Sequence, residues 1–197
     1  PSIYYLGKSF RDDERGRFHS PEFTMLEWYH LNIDDHELMT EVAQLIYLCL
    51  GDVPVNRVTY QSLFEIYLSI NPHLASAEEL AALVKKHIHT SIDCNGLTCD
   101  TSMQLLMSEV IVPQLDVHAL TFIYDFPSSQ AALARLRGSV AARFEAYYQG
   151  IELANGYHEL NDAKLQQQRF EKDLYIRRIQ NIKEVPVDKK LVAALDY

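Results

Sequence analysis

Two stretches of the chain carry residues whose types and spacing could do chemistry. In the first, Phe23-Thr24-Met25-Leu26-Glu27-Trp28-Tyr29, an extended strand sets Phe23, Met25, Glu27 and Tyr29 on one face. A carboxylate and a phenol two residues apart on that face can share an ammonium group, one by charge and one by hydrogen bond. Upstream, Arg11, Arg15, Arg17 and His19 offer cationic groups suited to a polyphosphate, and Phe23 at the strand mouth can stack on a purine. The same pattern also fits a surface hairpin with a solvated charged loop, and spacing alone does not choose between them.

The second stretch is Arg143–Asp162. Glu145 and Glu152 fall on consecutive strands across a turn, so they can converge on one hard cation. Magnesium takes carboxylate oxygens plus substrate phosphates, and two acids suffice. Asn155, Tyr157 and Glu159 share one strand parity and can line one pocket. A pair of solvated edge glutamates is the competing reading.

These residues need elements to position them. Ile3–Arg11 and Phe23–His30 read as a long β-hairpin around the polar loop Asp12–Ser20. Asp34–Leu50 reads as a helix with an apolar stripe at 38, 42, 45 and 49, flanked by 39 and 46, and closed by Gly51. Tyr60–Ile70 is a second helix. Ser76-Ala77-Glu78-Glu79 is a capping box for a third, reaching about His87. Ser102–Ile111 is a fourth. Leu120–Phe126 is a strand, Val140–Tyr148 and Ile151–Glu159 are strands joined by Gln149-Gly150, and Asn161-Asp162 caps a helix to about Asn181. Antiparallel strand pairs around a helical block predict a single α+β domain over 1–197, not a wound parallel sheet.

Composition sets outer limits. Of 197 residues, 48% are hydrophobic and 23% charged, enough apolar material for a sizeable core. No apolar run is long enough to span a membrane. Pro1–Tyr5 is already strand-like, which speaks against a signal peptide. Three cysteines, Cys49, Cys94 and Cys99, make no disulfide framework and favour a reducing cytoplasm. The net charge is −9, and no dense basic stretch offers the counterion release that drives nucleic-acid binding. His87-x-His89 with Cys94 and Cys99 matches no standard zinc spacing and is better read as a connecting loop.

The first stretch closely resembles the second signature motif of the class II lysyl-tRNA synthetases, an Arg-x-Glu loop leading to His-Asn-Pro-Glu-Phe-Thr-x-x-Glu-x-Tyr. The resemblance implies an antiparallel sheet flanked by helices, and a ligase that forms an aminoacyl-adenylate from ATP with Mg2+. It implies Arg11 on the α-phosphate and the amino-acid carboxylate, His19 with Arg17 near the γ-phosphate, Phe23 against adenine, and Glu27 and Tyr29 at the side-chain amine of lysine. Asp13 stands where the family has Glu, one methylene shorter toward the adenine amino group, and Asp12 and Ser20 stand where Asn is usual. Glu152-Leu153-Ala154-Asn155-Gly156-Tyr157-His158-Glu159 resembles the family's lysine-pocket segment. That implies Glu145 and Glu152 as magnesium ligands, Asn155 near the substrate carboxylate, Tyr157 as an apolar wall in place of Phe, and Glu159 beside Glu27.

Phe126-Pro127-Ser128-Ser129-Gln130-Ala131-Ala132-Leu133-Ala134, Gly150–Gly156 and Leu165–Glu171 are similar to a short branch of that family, which attaches lysine or (R)-β-lysine to a lysine of translation elongation factor P. That branch lacks an anticodon-binding domain, in keeping with the acidic composition. The resemblance implies elongation factor P rather than tRNA as acceptor, and a homodimer in the full-length protein. A tRNA-charging catalytic core and a non-catalytic ligand-binding relative are the rivals. The family's first and third motifs are expected before residue 1 and after Tyr197, and the junction Leu136–Val140 is shorter than the family's loop. Residues 1–197 alone are therefore expected to be inactive.

Overall fold

The computed structural model describes residues 2–12, 16, 19–88, 96–179 and 181–195. Strands β1 (Ile3–Phe10) and β2 (Glu22–Tyr29) form a two-stranded antiparallel sheet, with Ile3 opposite Tyr29 and Phe10 opposite Glu22. As alternation requires, Phe23, Met25 and Glu27 are half-buried while Glu22, Thr24 and Leu26 are exposed.

Helix α1 (Asp35–Leu50) starts at a capping box in which Asp34 accepts from the Glu37 amide and Glu37 reaches back to the Asp34 amide. It ends at Gly51, whose φ of 83° suits glycine. Its buried stripe is Asp35, Met39, Val42 and Ile46, which keeps 39, 42 and 46 of the expected stripe while 38 and 45 are half-buried and 49 is exposed. Asp35 was not expected there: fully buried, that carboxylate receives a two-pronged hydrogen bond from Arg137 at 3.0 and 3.1 Å. Arg137 also donates to Asp125 at 2.6 Å. A buried charge is tolerable when a fork-shaped cation meets it.

Strand β3 (Val55–Thr59) leads directly into α2 (Tyr60–Leu68). Helix α3 (Ala77–His87) carries the expected Ser76 capping box. Helix α4 (Cys99–Leu106) continues into a π-helical turn, Met107–Ile111, so this helix begins three residues earlier than its apolar pattern suggests. The central strands are β4 (Leu120–Pro127), the two-residue β5 (Leu136–Arg137), β6 (Val140–Tyr148) and β7 (Ile151–Tyr157). Helices α5 (Ala163–Ile179) and α6 (Lys189–Ala194) follow, and Asp162 caps the first by accepting from the Leu165 amide.

The five-stranded sheet runs β3-β4-β6-β5, with β7 also on β6. β6–β7 is antiparallel, as expected; β4–β6 and β5–β6 are antiparallel too, β5 lying in what the sequence offers only as a junction, whereas β3–β4 is parallel and was not anticipated. The fold class stands: a mixed α+β sheet flanked by helices. One sheet face packs Leu120, Phe122, Phe144 and Ala146 against Met39, Val42 and Ile46 of α1. The other packs Ile123, Phe126 and Ala141 against α2, α3, α4 and the π turn. Among the described residues no helix is long and apolar enough to cross a membrane.

Candidate functional site

The acids of the second stretch owe their common face to two local devices. Gln149 and Gly150, both at positive φ, make the two-residue turn that joins β6 to β7. In the ladder Glu145 faces Asn155 and Arg143 faces Tyr157, so these four share a face. Glu152 lies three residues from Asn155 and by simple alternation belongs on the opposite face. A register shift intervenes: Ala146 pairs with Ala154 but Tyr147 pairs with Glu152, which leaves Leu153 as a bulge. The extra residue turns Glu152 back to the side of Glu145 and Tyr147.

On that face the polar groups are tightly linked. Glu145, 9% exposed, accepts from Arg143 Nη2 on one oxygen and from the Tyr147 hydroxyl on the other, both at 2.6 Å. Asn155 Nδ2 lies 3.4 Å from an oxygen of Glu145 and 3.4 Å from one of Glu152, so the two carboxylates stand at most twice that distance apart. Desolvation first, and the Glu145 charge second, raise the Glu152 carboxyl above the ordinary glutamate range, although part of its surface stays open to water. Burial and then Glu145 also hold the Tyr147 phenol strongly protonated. Two carboxylates that crowd each other fit a hard cation. Among the described residues no group of three or more His, Cys, Asp or Glu gathers as a metal site. A magnesium ion here would therefore complete its shell with phosphate oxygens and water.

The hairpin approaches the same face. Burial, then the Glu27 charge, then that of Glu159 raise the Tyr29 phenol. Tyr157 is raised by burial and then by Glu159 and Tyr29, with Glu27 also felt. Tyr29 and Tyr157 thus each lie within electrostatic reach of both Glu27 and Glu159. Glu159 follows the end of β7 rather than lying within it, and an isolated bridge to Ala134 fixes its backbone. Its carboxyl is raised by burial alone. Arg11 joins the two halves: its guanidinium lies 5.2 Å from the Phe23 ring centroid, and its charge reaches Glu152. His19 exchanges two backbone hydrogen bonds with Gly16, at 3.2 and 3.3 Å. Asp13 and Arg17 lie outside the described residues, as do His89 and Cys94 of the discounted zinc pattern.

Sequence reasoning missed Arg143 and Tyr147, which both donate to Glu145, and Gln130, whose backbone carbonyl accepts from Arg143. An arginine within a strand carries no motif, and only the β6–β7 register places it. A groove of about 490 Å³, between β1, β2 and α1 and lined by Ile3, Leu26, Trp28, Leu45 and Leu48, touches this constellation only at Tyr29. The convergent charged groups with shifted acidities, not that apolar groove, make the candidate site.

The family described as tRNA synthetases class II (D, K and N) matches residues 1–197. A protein named elongation factor P--(R)-beta-lysine ligase from Pseudoalteromonas translucida (strain TAC 125) is 43% identical over 198 residues, covering 99% of this chain and 61% of its own length. Proteins of the same name from Haemophilus ducreyi (strain 35000HP / ATCC 700724) and Salmonella gallinarum (strain 287/91 / NCTC 13346) are 42% and 43% identical. Each match covers 98% of this chain and 60% of the relative. The chain thus spans about three fifths of the length of these relatives.

Proposed function

The chain belongs to the class II tRNA synthetases (D, K and N), and on that premise we propose that the protein carrying these residues activates lysine or (R)-β-lysine with ATP and transfers it to a lysine of elongation factor P. What supports this reading most is that the Tyr29 phenol of the hairpin and the Tyr157 phenol at the β7 end both feel the charges of Glu27 and Glu159. Two carboxylates and two phenols in one place suit a substrate with a side-chain ammonium. A substrate without that amine leaves both charges unpaired, which costs several kcal/mol. The relatives' names supply the acceptor and the β-lysine.

In this reading residues 1–197 are one catalytic domain, working in a cytoplasmic homodimer. Arg11 aligns the substrate carboxylate with the α-phosphate and offsets the charge that develops there. Phe23 supports adenine, Asp13 takes its amino group, and Arg17 and His19 hold the outer phosphates. Asn155 Nδ2 donates to the amino-acid carboxylate. Glu145 and Glu152 would hold a magnesium ion, which would supply neutralisation of phosphate charge. The carboxylate attacks the α-phosphate and pyrophosphate leaves. The acceptor amine then attacks the acyl carbon, AMP leaves with the bridging oxygen, and the amine gives up its proton. No side chain forms a covalent intermediate.

The test offers full-length protein elongation factor P and tRNA side by side. Charging of elongation factor P is expected to be at least about tenfold faster, or about 1.4 kcal/mol in transition-state stabilisation, with a shallow dependence on salt. Efficient tRNA charging that falls steeply with salt, as released counterions require, would assign tRNA as the acceptor. Absence of pyrophosphate exchange with either lysine would leave a binding protein.

A further inference from the structure

Arg143 has no part in the reading above, yet it is the most connected side chain on the acid-bearing face. Its side chain is 17% exposed. Nη1 donates to the Gln130 carbonyl at 2.7 Å, Nη2 to Glu145 at 2.6 Å, and Nε approaches Asn155 Oδ1 at 3.4 Å. The guanidinium also lies 4.7 Å from the Phe126 ring centroid. Two of these contacts, Gln130 and Phe126, anchor it to the scaffold beside β4. The other two reach the site. Because the fork is planar and rigid, fixing it at Gln130 and Phe126 fixes where its other nitrogens point.

The consequence falls on Asn155. An amide can present either its oxygen or its nitrogen, and its hydrogen-bond partners decide which. Arg143 has no acceptor atom, so its Nε takes the amide oxygen, and Nδ2 is left turned toward the carboxylates. That same nitrogen is the end that would donate to a substrate carboxylate. A flipped amide would present an oxygen there and repel it.

We propose that Arg143 is the positioning residue that holds the Asn155 amide with its nitrogen facing the substrate, and so sets recognition of the amino-acid carboxylate. The inference rests on the role given to Asn155 above.

The test compares L-lysine with cadaverine, which keeps the amine and lacks the carboxylate, binding to full-length protein by calorimetry. Arg143→Met and Arg143→Lys should each weaken lysine about tenfold or more, the size of one lost charge-assisted hydrogen bond, and leave cadaverine unchanged. Arg143→Lys keeps the charge but lacks the planar fork whose separate nitrogens reach Gln130, Glu145 and Asn155, so it should not rescue. Asn155→Ala alone should reproduce the lysine defect, and adding Arg143→Lys to it should change nothing further. Equal losses for lysine and cadaverine, or full rescue by Arg143→Lys, would overturn the inference. Unchanged lysine affinity in Asn155→Ala would instead sink the role of Asn155, and the inference with it. Should Arg143→Met fail to fold, the lysine variant and the double variant still decide.

Discussion

The two halves of the candidate site are held in opposite ways. The hairpin is a sheet of only two strands, and along β1 Ile3, Tyr4 and Leu6 are 59%, 78% and 63% exposed. Its link to the body runs through Trp28, which packs against the cluster under α1. Strand β6 has neighbours on both sides, β4 on one and β5 and β7 on the other, and Ala141, Phe144 and Ala146 are fully buried. A lone hairpin is marginal in water, whereas an interior strand shares the stability of the whole sheet. The groups proposed for adenine and the amine therefore sit largely on the adaptable half, and those proposed for metal and carboxylate on the rigid one. Substitutions on the rigid half should cost stability first, and those on the hairpin should cost ligand first.

The largest effect should come from removing the keystone of the rigid half. Phe144 lies in the layer with Phe122, ring centroids 5.6 Å apart, and covers Gly156 on the next strand. Phe144→Ala should lower the unfolding free energy by about 3–5 kcal/mol, read as a fall in the urea midpoint. A loss below about 1 kcal/mol would show that the sheet is not the rigid element, since only a site able to collapse is so cheap.

The same packing makes Gly156 sensitive. A Cβ there would come 2.5 Å from the Phe144 ring. Ring and strand must part, and Gly156→Ala should cost about 1–3 kcal/mol by overpacking. Denaturant midpoints on Gly156→Ala, Phe144→Leu and the double variant check this. The smaller side chain at 144 should relieve part of the cost, and strict additivity would place the strain elsewhere.

On the hairpin the expectation reverses. Glu27 is half-buried on a strand with one neighbour. Glu27→Gln should change stability by no more than about 0.5 kcal/mol. In full-length protein the same change should raise the KM for lysine about tenfold or more, close to 1.4 kcal/mol, while the KM for ATP holds. A stability loss like that of Phe144→Ala would erase the contrast between the halves.

That contrast also explains what could be read from the chain. The hairpin, the Ser76 capping box and the Gln149-Gly150 turn were legible because each is a local device with its own residue signature. The parallel pairing of β3 with β4 was not: Val55-Asn56-Arg57-Val58-Thr59 is short, half polar, and joined to its partner only after α2, α3 and α4. The apolar stripe of α1 was legible at Met39, Val42 and Ile46, but its buried Asp35 was not, because the partner of that carboxylate lies about a hundred positions later at Arg137. Glu27, Tyr29, Glu145 and Glu152 were picked out by type and spacing. What aligned Glu152 was the Leu153 bulge, and bulges follow from pairing rather than composition.

The smallest expected effect concerns the acid that bridges the halves. Burial alone raises the Glu159 carboxyl. The folded chain therefore holds that proton more tightly than the unfolded chain does. The contribution to stability is complete below the unfolded glutamate value of about 4.3 and is lost as pH rises through the higher folded value. Wild type should thus lose stability relative to Glu159→Gln across that window and keep a constant difference above it. A bound ammonium changes the sign of the argument, because ionised Glu159 then gains a partner. Stabilisation by added lysine should grow over the same pH range in full-length wild type and grow less in Glu159→Gln, where Glu27 alone is left to meet the ammonium. Denaturation curves at a series of pH values, with and without lysine, make both comparisons. If wild type and variant run parallel throughout, Glu159 is not the buried acid that the hairpin is placed to meet.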